Sequence, residues 1–578
     1  MYAHHISSSS TYGEWQWSFK CGQKHKWRSI SCSKEFVTMV EVLMESGGQE
    51  VAVADSCESR AEVPSDLSLT ITEATVPQIK LSKIQQFYAG QSVFVTGGTG
   101  FLGKLLIEKL LRTCPGIVSI YLLVRQKKGK DVHQRTEEIF DDMLFQRLKE
   151  EVPKFRHQIV PISGDCSAPG LGLSPADRAT LIREVSIVFH GAATVRFDEK
   201  LRLAVAINVQ SPKEILELCR EMPKLKSVLH VSTAYANCPQ EVIEEKFYEP
   251  PIEYKKLLTI MECVNDKLLD EITPDLLGKW PNTYAYTKAI AEHVIREEAG
   301  NLPVGMFRPA IVISTYQEPI RGWIDNMYGP TGVAAGAGTG LLRSLHCDGS
   351  IQANVVPGDM TVNAMIVAAW DVAQVKRKNS NIADLPIYNF CSKDNPITWD
   401  ELKEMSEKHG IEYPSIKAMW YYSFRNTKNR LLHLFYVYLL HLLPALIIDA
   451  ATICVGKQPR LLKIYKKIHK FMTVLNYFTT QEWKFSTDRV RSMLGKLEMD
   501  DRQNFSFNIQ DISWDTYFET YIQGIRLYLL KDPVETLPQA KIRWQRMYWI
   551  HQGFKLLLFY VLLRISWLVL STVFSIIF

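Results

Sequence analysis

An apolar run, a glycine-rich turn and a helix follow one another between residues 93 and 111, and they constrain the fold more than any other stretch. Residues 93–103 read VFVTGGTGFLG, and Leu or Ile then recurs at helical spacing. Glycines let the backbone approach a dinucleotide pyrophosphate, while the helix N-terminus offers unpaired N–H groups and a positive dipole end. We therefore predict a dinucleotide-binding turn, although the spacing is GxxGxxG rather than GxGxxG and a ligand-free turn is the alternative. The predicted contact residues are Gly97, Thr99, Gly100, Phe101, Leu102 and Gly103.

The order of elements after this turn predicts the fold class. Further apolar runs end in small or polar residues, and helical stretches separate them. These runs lie at 119–124, 157–162, 185–189, 227–231 and 303–307. The alternation is typical of an α/β doubly wound parallel sheet (a Rossmann domain), whose ligands bind at the carboxyl ends of the strands. We predict this domain over residues 88–375 and a smaller, mainly helical domain over 376–535.

Composition excludes several other classes of protein. The chain has 578 residues, is 46% hydrophobic and carries a formal net charge of +5, all ordinary values for a globular protein. The cysteines form no C-x-x-C pair and there is no basic tract, so we expect no metal site, no disulfide framework and no nucleic-acid partner.

Residues 1–80 lack apolar periodicity and a secretory signal core, and we interpret them as a disordered extension. A transit peptide is the alternative, which the acidic residues between 41 and 58 disfavour.

The residue that closes the second predicted strand indicates which dinucleotide binds. NAD-binding proteins usually place an acidic residue there for the ribose 2′-hydroxyl, whereas an arginine accommodates a 2′-phosphate. Here the residue is Arg125, with Lys127 and Lys128 close behind it. We therefore favour NADPH over NADH, and the alternative is an ordinary surface arginine.

A second group of residues carries acid–base chemistry. Tyr284 and Lys288 are four residues apart and share a face of a predicted helix. A lysine ammonium favours the phenolate, so Tyr284 could exchange a proton near neutral pH, and Lys288 could also hydrogen-bond the nicotinamide ribose. Upstream, a predicted strand ends at Ser232 and Thr233, whose hydroxyls can hold a substrate carbonyl. From Asn208, which lies in an apolar stretch, we expect only structural support.

Together these motifs resemble the extended short-chain dehydrogenase/reductase superfamily. Residues 91–370 carry TGGTGFLG, GD, HGAA, VSTA, YxxxK and FRP in that superfamily's order. The resemblance implies that Thr233 lies beside the reactive carbonyl, with Ser232 as the fallback. It also implies that Tyr284 is the acid and that Lys288 tunes it.

The same resemblance implies two further cofactor contacts. Asp165 would meet the adenine, and Ala192 would line the cofactor cleft. It also gives the unusual glycine spacing a meaning, because GxxGxxG points to the extended reductase branch rather than to the GxGxxG dehydrogenases.

Longer motifs narrow the resemblance to the alcohol-forming fatty acyl-CoA reductases, over about residues 90–530. They include HGAATVRF at 190–197, HVSTAYAN at 230–237, GWIDN at 322–326, VPGDMTVN at 356–363 and YFT at 477–479. The resemblance implies reduction of a long-chain fatty acyl-CoA by NADPH to a primary alcohol, with release of CoA, through two hydride transfers and a bound aldehyde. Such alcohols are precursors of waxes and ether lipids. The alternatives are another extended dehydrogenase acting on a lipid or sterol, and a catalytically silent NADPH-binding scaffold.

Two apolar stretches point to a lipid membrane as a partner. Residues 431–455 are long enough to span a bilayer, but their histidines and Asp449 favour a buried or interfacial helix pair broken at Pro444. The basic stretch at 460–471 that follows suits a membrane surface, or equally an ordinary packed helix.

The end of the chain is predicted to be a membrane anchor over 554–578. Arg564 is the only charge within 556–578, and basic residues precede the segment, which favours a cytosolic catalytic domain. Arg564 can be accommodated by pairing in a homo-oligomer, by snorkelling or by a shallow hairpin. The resemblance suggests the peroxisomal or the endoplasmic reticulum membrane.

Overall fold

The computed structural model describes residues 80–126, 129–375 and 385–577. The predicted N-terminal extension, apart from its last residue, lies outside these ranges, and so do Lys127 and Lys128.

Seven parallel strands form the central sheet, in the order β3-β2-β1-β4-β5-β7-β11. Their bounds are Ser92–Thr96 (β1), Ser119–Val124 (β2), Ile159–Ser163 (β3), Ile187–His190 (β4), Ser227–Val231 (β5), Val304–Pro309 (β7) and Ile387–Phe390 (β11). The predicted doubly wound parallel sheet is confirmed. The chain winds outward from β1 in both directions, so the strand order reverses between β1 and β4, where ligands bind in folds of this kind.

Helices cover both faces of the sheet. Those before residue 375 are Lys83–Tyr88 (α1), Phe101–Thr113 (α2), Val132–Phe140 (α3), Gln146–Glu151 (α4), Pro175–Glu184 (α5), Leu201–Val205 (α6), Ser211–Arg220 (α7), Tyr254–Cys263 (α8), Asp266–Leu277 (α9), Thr283–Glu298 (α10), Pro330–Gly338 (α11) and Gly358–Gln374 (α12). Successive side chains of a strand face opposite ways. Accordingly, Val93 and Val95 join the apolar core that contains α2, whereas Phe94 joins the core that contains α7.

The C-terminal half is mainly helical. Its helices are Trp399–Glu412 (α13), Arg430–Tyr436 (α14), Leu443–Cys454 (α15), Leu461–Thr479 (α16), Asp488–Gly495 (α17), Met499–Asn504 (α18), Trp514–Gly524 (α19) and Leu537–Ile577 (α20). Short parallel pairs join Val242–Ile243 (β6) to Lys484–Phe485 (β13), Ile311–Ile313 (β8) to Val355–Pro357 (β10), and Ser344–His346 (β9) to Arg425–Thr427 (β12). The sheet itself takes its edge strand β11 from beyond residue 375, where the sequence placed the end of the first domain.

The apolar stretch around Pro444 forms one continuous helix, so the predicted break at Pro444 is wrong. A π-helical turn at Val437–Leu442 joins α14 to α15 and places Pro444 in the first turn of α15. Proline is tolerated there because the wider turn removes the clash that its ring would make with the preceding carbonyls.

The polar residues of this helix do not face outward. His433, His441 and Asp449 are buried, whereas most of the large apolar side chains are exposed. The Asp449 carboxylate accepts hydrogen bonds from the backbone N–H groups of Arg460, Leu461 and Leu462 at 2.9–3.0 Å, and it thereby caps the start of α16. The polar side chains that disfavour a lipid-facing helix thus face the rest of the protein, and the exposed side of the helix is apolar.

Two helices of the described chain are long and apolar enough to cross a membrane. They are Arg430–Cys454 and Val534–Ile577, each with a mean hydropathy of 2.1 over its most apolar window. The second helix packs on the protein through Ala540, Trp544 and His551, and its described residues beyond Gln552 are exposed.

Candidate active site

The glycine-rich turn lies at the carboxyl end of β1 and leads into α2. Gly97 has a φ of +78°, and a Cβ there would lie 2.7 Å from the Ala192 nitrogen. A Cβ on Gly103 would lie 2.3 Å from the Gly97 oxygen. Both positions therefore require glycine, because the turn, the start of α2 and the loop after β4 approach one another closely. This is the tight cradle that a pyrophosphate needs.

A cavity of about 1630 Å³ opens at this edge of the sheet. Every predicted catalytic and cofactor-contact residue lines it, from the glycine turn to Tyr284 and Lys288. The cavity continues between α11, α13, α16 and α19, where its lining is largely apolar. The strand order thus brings together residues that are almost 200 positions apart in the sequence.

Basic side chains surround the end of the cavity near β2. The Arg125 guanidinium lies 3.7 Å from the Asp165 carboxylate, and the Arg125 side chain is 55% exposed. The carboxylate of Asp165 is itself oriented by hydrogen bonds from the Ser167 N–H and hydroxyl, at 2.9 and 2.8 Å. Lys130 and Arg135 also line the cavity. No sequence pattern singles out these two residues, because their positions depend on how the loop after β2 folds.

Tyr284 lies in the first turn of α10 and points into the cavity. Its hydroxyl shares a hydrogen bond with the Thr233 side chain, which lies just after β5. Burial raises the pKa of Tyr284 to about 12, and the Thr233 hydrogen bond offsets only part of that rise. In this structure the phenol is therefore protonated at neutral pH, whereas the sequence had suggested a pKa close to neutrality. Phe197 packs against its ring, with centroids 5.8 Å apart.

Lys288 follows one helical turn later and is almost fully buried. Its ammonium donates a hydrogen bond to the Val231 carbonyl at 2.7 Å. Burial lowers the pKa of Lys288 to about 8, although the nearby Glu292 carboxylate acts in the opposite direction. Lys288 is thus a cation that titrates close to physiological pH.

A buried ion pair holds these elements in place. The Glu292 carboxylate accepts two hydrogen bonds from the Arg308 guanidinium, at 2.8 and 2.7 Å, and both side chains are buried. It also accepts hydrogen bonds from the Ser232 hydroxyl at 2.6 Å and from the Asn237 amide at 2.9 Å. Ser232, the fallback for Thr233, therefore has its hydroxyl engaged in this network. Sequence reasoning missed Glu292, which follows Lys288 by one helical turn.

Asn208 has the structural role that the sequence suggested. Its side-chain oxygen accepts a hydrogen bond from the Thr194 N–H at 2.9 Å, and its amide donates to the Thr287 hydroxyl at 2.9 Å. Asn208 thereby ties the loop after β4 to α10, beside Lys288.

Within the described residues, no cluster of His, Cys, Asp and Glu has the arrangement of a metal site.

Comparison with known proteins agrees with the fold. Residues 95–365 match an NAD-binding family model and residues 440–532 match a second model, Sterile, and both are described as male sterility protein. The first match supports a nicotinamide cofactor. Among solved structures, the terminal reductase domain of the myxalamid biosynthetic pathway superposes with a TM-score of 0.51 at 18% identity, covering 77% of this chain and 93% of that domain, which shows the shared fold.

Curated relatives are more similar in sequence. Fatty acyl-CoA reductase wat of Drosophila melanogaster is 45% identical over 471 residues, which are 81% of this chain and 90% of that protein. Human fatty acyl-CoA reductase 1 is 38% identical over 483 residues, which are 83% of this chain and 93% of that protein. The predicted resemblance is confirmed. The chain therefore belongs to the fatty acyl-CoA reductases, a family of oxidoreductases built on the extended short-chain dehydrogenase/reductase fold.

Proposed function

We propose that this protein reduces a long-chain fatty acyl-CoA to the primary alcohol, with NADPH as the reductant and with release of CoA. One observation carries the proposal: the hydroxyl of Tyr284 is paired with Thr233 beside Lys288, in the same cavity as the glycine cradle. The names of the curated relatives supply the substrate class. The test is to supply palmitoyl-CoA and NADPH to the detergent-solubilised protein and to identify the lipid product. We expect hexadecanol.

The residues present fit a nicotinamide dinucleotide. Gly97 and Gly103 leave room for a pyrophosphate where any side chain would collide with backbone. Asp165 and Ala192 line the same cavity on either side of the turn. Bound there in its reduced form, the dinucleotide would supply one hydride, so each of the two reduction steps would use its own molecule of NADPH.

The chain's own residues would handle the proton and the developing charge. Tyr284 is protonated at neutral pH, as an ordinary phenol is, and burial raises its pKa further, so it can donate a proton to the carbonyl oxygen as negative charge develops there. The Thr233 hydroxyl can hold the same oxygen, and donors placed in this way supply much of the acceleration in carbonyl chemistry. The Lys288 ammonium stabilises the phenolate that remains and can hydrogen-bond the nicotinamide ribose. The thioester and the aldehyde are both carbonyls, so one site can serve both steps.

Arg125 is proposed to select NADPH through the 2′-phosphate. We expect Arg125→Glu to raise KM for NADPH about tenfold or more, because it replaces a charge-assisted hydrogen bond with repulsion. The matched control is the same variant assayed with NADH, which lacks the phosphate and should lose much less. Steady-state kinetics with both cofactors make the comparison, and an equal loss with both would refute the assignment.

We also propose that the last helix anchors the protein in a membrane, with the catalytic domain on the cytosolic side. The exposed apolar side chains beyond His551 support this, and so do Lys541, Arg543, Arg546 and Lys555 before the apolar segment. The full chain should remain with liposomes after an alkaline carbonate wash, whereas a variant that ends at residue 553 should be released. That variant keeps the packed residues Ala540, Trp544 and His551. Retention of the shortened variant in the pellet would show that another segment anchors the protein.

A further inference from the structure

One face of α16 lines the cavity, and its character changes along the helix. The lining residues that matter here are Phe478, Val474, Phe471, Lys470 and Lys467. Phe478 lies at the catalytic end, because its ring packs against Phe197 with centroids 5.7 Å apart and Phe197 packs against Tyr284. With a rise of about 1.5 Å per residue, Lys470 lies about 12 Å from Phe478 along the helix, and Lys467 about 16 Å. The wall is thus apolar beside the reacting carbonyl and cationic farther away.

Arg196 adds a third cation at the basic end of this wall. Its guanidinium lies 3.9 Å from the Asp198 carboxylate, and the Lys470 ammonium lies 2.7 Å from the same carboxylate. Asp198 therefore holds these two positive charges side by side, and the neighbouring Glu199 carboxylate, which also lines the cavity, accepts a hydrogen bond from the Thr194 hydroxyl at 3.2 Å. The Arg196 Nε is buried and has no hydrogen-bond partner within the described chain. Such a donor needs an explanation, and a ligand group bound beside Asp198 would supply one.

We propose that Arg196 and Lys470 bind the phosphate groups of the CoA portion of the substrate. This inference rests on the proposed function and deepens it. Phosphates are recognised by arginine and lysine side chains through charge-assisted hydrogen bonds. The apolar wall formed by Phe471, Val474 and Phe478 suits the uncharged arm that joins the thioester to those phosphates. The site would therefore distinguish a CoA thioester from a thioester that lacks phosphate.

Two other sources of phosphate are less consistent with the structure. The basic group assigned to the cofactor, at Arg125, follows β2, whereas Arg196 follows β4, on the other side of β1. A lipid headgroup is distinguished by position, because the exposed Lys463 and Lys466 of the same helix do not line the cavity, whereas Lys470, whose side chain is 69% exposed, does line it.

The test compares two thioesters of palmitic acid in the full chain solubilised in detergent. Palmitoyl-CoA carries the phosphates, and palmitoyl-N-acetylcysteamine does not. In the double variant R196Q/K470Q, we expect kcat/KM for palmitoyl-CoA to fall about tenfold more than kcat/KM for the phosphate-free thioester. The matched control is K463Q/K466Q, which also removes two charges but alters side chains outside the cavity, and it should leave the ratio of the two kcat/KM values unchanged.

Several outcomes would overturn the proposal. Equal losses with both thioesters would mean that the residues support the fold or the chemistry. If KM for NADPH rises in R196Q/K470Q as much as KM for palmitoyl-CoA does, the site belongs to the cofactor. If K463Q/K466Q changes the ratio of the two kcat/KM values as much as R196Q/K470Q does, the effect belongs to a lipid or detergent surface. If neither thioester is reduced, the proposed function fails, and calorimetric titration with CoA alone decides the present question. Weaker CoA binding in R196Q/K470Q than in the unmodified chain would support the site, and absence of CoA binding to the unmodified chain would refute it.

Discussion

Tyr284→Phe should lower kcat by about 10²- to 10⁴-fold, the usual contribution of a positioned proton donor. The substitution removes only the hydroxyl that is hydrogen-bonded to Thr233, and the ring can keep its packing against Phe197. NADPH affinity, measured by the fluorescence change on binding, should stay nearly unchanged. The loss would then belong to the chemical step rather than to cofactor binding.

Tyr286 provides a matched control on the same helix. Its hydroxyl is buried and has no hydrogen-bond partner in the described part of the chain, and its ring packs in a separate apolar cluster with Ile290 and Val294. Tyr286→Phe makes the same chemical change two residues away and should leave kcat close to that of the unmodified enzyme. If Tyr284→Phe remained active, or if both variants lost activity alike, the assignment of Tyr284 as the acid would be wrong.

Lys288 should make the reaction sensitive to alkaline pH. Burial lowers the pKa of this lysine to about 8, so its positive charge is present below that pH and is lost as the pH rises through it. The pH dependence of kcat/KM reports groups of the free enzyme, and we expect a decline above about pH 8. Tyr284 cannot produce this decline, because its pKa lies near 12.

Two variants separate the charge of Lys288 from its geometry. Lys288→Met should lower kcat/KM about tenfold to a hundredfold at pH 7, since a hydrogen bond from a charged group is lost in a buried site. Lys288→Arg keeps a cation that does not titrate in this range, so its residual activity should show no decline near pH 8. A decline at the same pH in Lys288→Arg would place the titrating group elsewhere.

The fold was predictable because its signals are local. Each apolar run that ends in small or polar residues gives one strand, and the glycine turn gives the join between β1 and α2. The edge strand β11 was not predicted, because a four-residue strand after a long helical region has no distinctive pattern. The inward orientation of the polar residues of α14 and α15 could not be predicted either, because only the packing against α16 shows that Asp449 faces inward.

The candidate site was predictable as a set of residues but not as an electrostatic environment. Motifs identified the side chains that the structure gathers around one cavity. The pKa of Tyr284 could not be predicted, because it depends on burial, and burial outweighs the effect expected from Lys288. The ion pair of Glu292 and Arg308 was missed for a similar reason, because the two residues come together only when α10 packs against β7.

The ratio of NADPH consumed to CoA released tests the central claim most directly. NADPH oxidation can be followed by absorbance and CoA release with a thiol reagent in the same reaction on palmitoyl-CoA. Two successive hydride transfers to one acyl group predict about two NADPH consumed per CoA released, with hexadecanol as the product. A ratio of about one, with free hexadecanal accumulating, would contradict the proposed reduction to the alcohol.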